Sequence, residues 1–139
     1  MIIDKWDKRD TWLISHSTFT VEICRYLVPD SDNLGPNRWT VYAYIYPDHP
    51  IFTEFKGERF SQPAAVTLPF HGGVSFLNYY YDKYGHATCI QVGGDYNHLY
   101  DDRFSYHETR EDAYEVFRDG EILANYLDEY NKVPRKNYD

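Results

Sequence analysis

At 139 residues and 42% hydrophobic content, the chain is long enough for one compact domain with a real core and too apolar for a disordered polymer. A formal charge of −8 argues against direct binding to nucleic acid or anionic membranes, and no run approaches the ~20 apolar residues that span a bilayer. Fifteen tyrosines lift the aromatic share to 19%, which suits half-buried sheet faces and contact surfaces, because the ring buries while the hydroxyl stays wet.

The charged start MIIDKWDKRDTW lacks the apolar core of a signal peptide, so the cytoplasm is the expected compartment. Residues 1–10 read as an arm, and Thr11–Ser15 as a first strand or a pad under the sheet. Phe19–Val28 alternates, with Phe19, Val21, Ile23 and Leu27 on one side and Thr20, Glu22 and Tyr26 on the other. Pro29–Asn37 is dense in turn formers and reads as a loop. Arg38–Tyr46 alternates most cleanly: Trp39, Val41, Ala43 and Ile45 oppose Thr40, Tyr42, Tyr44 and Tyr46. Neither face is charged, so both should be substantially covered, as in a central strand.

Asp48 is placed to cap a helical turn beginning at Pro50, with Ile51, Phe52 and Phe55 as its apolar side. Ser61–Pro69 fits either a short helix or an irregular edge. Ser75–Tyr81 and His86–Val92 flank Asp82-Lys83-Tyr84-Gly85 and predict a hairpin closed by a left-handed glycine. Gly93-Gly94 then reads as a hinge into the polar loop Asp95-Tyr96-Asn97-His98. Glu108–Asn131 is predicted as a helix capped by Thr109, with Ala113, Val116, Phe117, Gly120, Leu123, Ala124 and Leu127 on one stripe. Pro134 ends it, and the basic tail beyond is expected to fray. The fold class is α+β: an antiparallel sheet of about four to five strands, one long C-terminal helix on a face, and a short central helix, in a single domain.

Two groups of side chains could carry function. The first is the acid row of the predicted helix, Glu108, Glu111, Asp112, Glu115 and Asp119, continued at helical spacing by Ile122 and Tyr126. It suits docking on a basic protein surface. The second is a pocket formed by His71, Asp95, Asn97 and His98 around the Gly-Gly bend, with Asp101 and Asp102 farther along the loop. Histidine beside carboxylate can serve as a general base or a metal ligand, but the spacing matches no compact zinc signature, so neither a metal nor another cofactor is expected. Cys24 and Cys89 lie in predicted strands without a nearby base, no G-x-S-x-G elbow or phosphate loop occurs, and no catalytic residue is assigned.

The segments WTVYAYIYPDHPIF, LPFHGGVSFL and QVGGDYNHLYDDRF, followed by the acidic AYEVF helix, resemble a group of small uncharacterised proteins of bacteriophages and proteobacterial mobile elements. The resemblance spans about residues 38–130 and implies a context rather than an activity. In that context the expected role is an acidic accessory protein in the cytoplasm of a bacterial host. It would bind and inhibit a nucleic-acid-handling host or defence complex, as anti-CRISPR and anti-restriction proteins do. The alternative is a small enzyme or ligand-binding domain using the Gly-Gly-Asp-Tyr-Asn-His loop with His71.

Overall fold

The computed structural model describes residues 9–28, 34–55, 65 and 67–131. Five antiparallel strands form one sheet: β1 (Asp10–Ser15), β2 (Phe19–Leu27), β3 (Asn37–Ile45), β4 (Phe76–Tyr81) and β5 (Ala87–Asp95), in the spatial order β1-β2-β3-β5-β4. Two short 3-10 turns, Pro50–Glu54 and Asp102–Tyr106, and the helix α1 (Tyr114–Asn131) complete the described elements. The expected α+β fold is observed. Residues 1–8 of the predicted arm, the tail, most of Ser61–Pro69 and part of the Pro29–Asn37 loop lie outside the described residues, and Asp10, expected in the arm, opens β1. No described helix is long and apolar enough to cross a membrane.

Alternation decides which face of the sheet is core. Phe19, Val21 and Ile23 of β2, Trp39, Val41, Ala43 and Ile45 of β3, and Ile90 and Val92 of β5 are all buried on one side. All seven residues of the predicted helical stripe are buried too, and they seat α1 on that side. Gly120 permits the close approach, because a Cβ there would lie 2.6 Å from Ile23 Cδ1. At the seam Trp12 and Trp39 stack with centroids 5.9 Å apart and planes 17° from parallel, and Phe117 meets both rings edge-on.

The helix therefore does not cover the tyrosine ladder. That opposite face is half-buried and carries its own polar chain across four strands: Tyr44 Oη donates to Glu22 (3.1 Å), Gln91 donates to Tyr44 (3.1 Å), and Tyr80 donates to Gln91 (2.5 Å). Burial, and then Glu22, push the Tyr44 hydroxyl far above its ordinary pKa, which keeps it a neutral donor.

Three local expectations need correction. Gly93 and Gly94 do not hinge the chain; they continue β5 opposite Tyr42 and Val41. They are glycines because a Cβ at Gly93 would lie 2.4 Å from the Tyr42 ring, and one at Gly94 would lie 3.0 Å from Phe70 Cβ. The α-helix starts at Tyr114 rather than Glu108. Thr109 does cap this end, accepting the Asp112 N–H at 3.1 Å, but the chain from Thr109 to Ala113 forms a turn. His49, not Asp48, caps the Pro50 turn, accepting the Ile51 N–H at Nδ1 (3.1 Å). The other His49 nitrogen must then carry its proton, and Nε2–H donates to the Leu127 carbonyl at 2.8 Å. One fully buried imidazole thus ties the central turn to α1.

Candidate functional site

Two turns meet at the Asp95 end of β5. In the first, Phe70-His71-Gly72-Gly73, the chain reverses with Gly73 N–H on Phe70 O (3.1 Å) and positive φ at Gly72 (68°) and Gly73 (88°). In the second, Asp95 Oδ1 accepts the Asn97 N–H (3.1 Å), and His98-Leu99-Tyr100-Asp101 closes on itself. The Asp101 N–H donates to His98 O (3.0 Å), and the His98 N–H donates to Asp101 Oδ2 (3.0 Å). Tyr100 sits in the left-handed region (φ 75°), a conformation uncommon for a bulky residue, and this bends Asp101 back towards His98. Gly72 lets the turns touch, since a Cβ there would lie 2.6 Å from the His98 ring.

The Asp101 carboxylate stands at the junction with its side chain only 7% exposed. His71 Nε2–H donates to both of its oxygens (2.8 and 2.9 Å), and His98 Nδ1 lies 3.2 Å from Oδ2. Burial alone would raise the Asp101 pKa; the hydrogen bonds from His71 and the His98 amide outweigh it and hold the carboxyl below its ordinary value. The His71 ring is fixed by stacking on Tyr96 (4.4 Å, 14°) and by the edge of Phe104 (5.5 Å). Tyr96 is buried and donates its hydroxyl to Asp119 of α1 at 2.6 Å. Burial first, and then Asp119, raise the Tyr96 pKa far above the ordinary tyrosine value, so it remains neutral.

The predicted pocket is thus brought together in part. His71 and His98 converge, with ring centroids 5.8 Å apart, and Asp95 Oδ1 lies 3.7 Å from His98 Nδ1. Asn97 is exposed; it borders an adjoining cleft that is also lined by Leu34, Arg38, Tyr96, Asp101 and Ser105. Asp101, left out of the predicted pocket, is the residue on which both histidines converge. The signal for it was the His-x-x-Asp spacing across a turn, which brings the two side chains to one side. Chemically, two imidazoles and a carboxylate can relay a proton or hold a cation.

The acid row is divided. Glu108, Glu111 and Asp112 are exposed in the turn before α1, and Ile122 is 47% exposed on the helix. Glu115 instead pairs with Arg103 (2.9 Å), Asp119 holds Tyr96, and Tyr126 is half-buried against the core beside Tyr130. These three serve the fold first. Cys24 and Cys89 are free thiols whose pKa values burial raises, which makes them poor nucleophiles. No protein-family model matches the chain, and no curated protein or solved structure matches it.

Proposed function

We propose that the chain acts by protein–protein binding. It docks an acidic surface on the basic face of a nucleic-acid-handling complex and inhibits it, in the manner of anti-CRISPR and anti-restriction proteins. The observation that carries this reading is that Glu108, Glu111 and Asp112 are exposed, on a chain of net charge −8, in a segment that also exposes Tyr106 and Tyr114. Acids interleaved with aromatic rings supply both long-range attraction and desolvated contact area. A bacteriophage or mobile-element setting is part of the same proposal. Compared with the full acid row, the docking surface narrows to these three acids with Ile122, since Glu115, Asp119 and Tyr126 are engaged within the fold.

Capture from bacterial lysate at low salt, followed by elution along a salt gradient, tests it. The expected result is retention of a nucleic-acid-binding complex by the wild-type chain and loss of that complex with Glu111→Lys/Asp112→Lys, which moves the local charge by four units. Retention of the same set by both proteins, or of no nucleic-acid-binding protein by either, overturns the reading.

A second reading, a ligand-binding domain using the Gly-Gly-Asp-Tyr-Asn-His loop with His71, is favoured by the convergence of His71 and His98 on Asp101.

A further inference from the structure

We infer that His71, His98 and Asp101 form a binding site for a divalent first-row transition ion, with Asp95 at its margin. The inference deepens the second reading above and is independent of the docking surface. One donor atom from each of the three residues lies within 4.8 Å of the other two. Zinc held at 2.0–2.2 Å by tetrahedral ligands needs donors about 3.4 Å apart. Two of the separations, both to Asp101 Oδ2, are already 2.9 Å (His71 Nε2) and 3.2 Å (His98 Nδ1), and the third, within 4.8 Å, is in reach of side-chain rotation at His98, which is 37% exposed.

The donor set is chemically matched to such an ion. Imidazole suits zinc, nickel, copper and iron, and a carboxylate supplies charge that two neutral rings lack. As the side chains stand, His71 Nε2 carries the proton it donates to Asp101. Binding moves that proton to Nδ1 and leaves a lone pair at Nε2 for the metal; His98 likewise presents Nδ1 with its proton on Nε2. Neutral rings therefore exchange tautomers, with no net loss of a proton. Three protein ligands leave a fourth position open, and Asp95 Oδ1, 3.7 Å from His98 Nδ1, is placed to close it.

Around these ligands stands the support a metal site needs. Tyr96 and Phe104 fix the His71 ring, and the His98 N–H orients the carboxylate. Gly72 admits His98 to the turn that carries His71. Among the described residues this is the one cluster of three such donors, and two other histidines show the contrast. His49 spends both ring nitrogens on backbone groups, and His86 is largely exposed on the hairpin turn beside Asp82.

The test uses the full chain, stripped with chelator and titrated with ZnCl2 by calorimetry, with thermal denaturation in parallel. The expected result is one bound equivalent with Kd at or below about 10 μM, and a Tm that rises with zinc concentration. His71→Gln and His98→Gln should each weaken binding at least about tenfold, while His86→Gln leaves it unchanged. Asp101→Asn should weaken it as well; if that variant unfolds, the two glutamine variants still decide, because neither removes a backbone anchor. Absence of zinc binding by the folded wild-type chain up to about 1 mM overturns the inference, as does equal binding by wild type, His71→Gln and His98→Gln.

Discussion

His49 and His71 occupy two regions built from the same parts and put to different ends. Each imidazole stacks on a tyrosine, Tyr130 for His49 (5.9 Å, 26°) and Tyr96 for His71 (4.4 Å, 14°). Each tyrosine donates its hydroxyl to a carboxylate, Glu54 in the first region and Asp119 in the second. The regions part at the ring nitrogens. The two ring nitrogens of His49 meet backbone groups, one donor and one acceptor, so its tautomer is fixed. His71 meets a carboxylate shared with a second, half-exposed histidine. Backbone partners make a histidine a rivet; a shared side-chain partner leaves a ring nitrogen whose proton can shift across the ring to admit a ligand.

The largest way to break this comparison is His49→Ala. It opens a cavity in the core, leaves the Ile51 N–H without its acceptor and removes the tie to the Leu127 carbonyl, for an expected loss of about 3–5 kcal/mol by urea denaturation. Gly72→Ala comes next. Its φ of 68° and the contact with His98 both oppose a side chain, so about 1–3 kcal/mol should be lost. NMR should show the His98 ring signals displaced while those of His49 stay in place. His71→Gln should cost no more than about 1 kcal/mol, since a partly exposed side chain is replaced by another hydrogen-bond donor. A loss as large as that of His49→Ala would erase the distinction between the two regions.

Alkaline pH sharpens the pairing of the tyrosines. The Glu54 hydrogen bond, and then burial, push the Tyr130 hydroxyl up to about 12. Since the folded value exceeds the ordinary one of about 10, the interaction is fully present below pH 10 and is lost as pH rises through about 12. Tyr130→Phe should flatten that part of the stability–pH profile, measured by denaturant midpoints, by lowering stability at neutral pH towards the level the wild-type chain reaches at strongly alkaline pH. The smallest expected effect is that of Glu111→Lys/Asp112→Lys on folding, a few tenths of a kcal/mol per exposed site, measured in the same way.

What the sequence made legible was whatever depends on periodicity. The stripe from Ala113 to Leu127 was readable because a helix repeats its buried face every 3.6 residues, and the alternation of Trp39, Val41, Ala43 and Ile45 marked β3 in the same way. Glycines have no side chain to alternate, so Gly93-Gly94 resembled a bend; the reasons for them, the Tyr42 ring and Phe70, lie in other segments. Acids at Glu111 and Asp112 suit a helix start, which drew the predicted boundary too early, ahead of the Thr109 turn. The site was half legible. His71 and His98 stood out beside a polar loop, whereas Asp101 looked like one more turn former, because its partner His71 lies thirty positions away in the chain. His49 was hidden for the same reason, with its second anchor on Leu127.

The Trp12–Trp39 stack places two indoles from an edge strand and the central strand face to face beneath Phe117. Two such chromophores at 5.9 Å couple their electronic transitions, so the pair writes the seating of α1 into the near-ultraviolet circular dichroism of the chain. Both rings lie on the helix side of the sheet and neither belongs to the His71–Asp101 cluster, whose Tyr96 N–H donates to the Trp39 carbonyl at 3.2 Å. An optical signal of helix docking can therefore be followed while metal is added or withdrawn, which lets one cuvette separate a variant that has lost its site from one that has lost its fold.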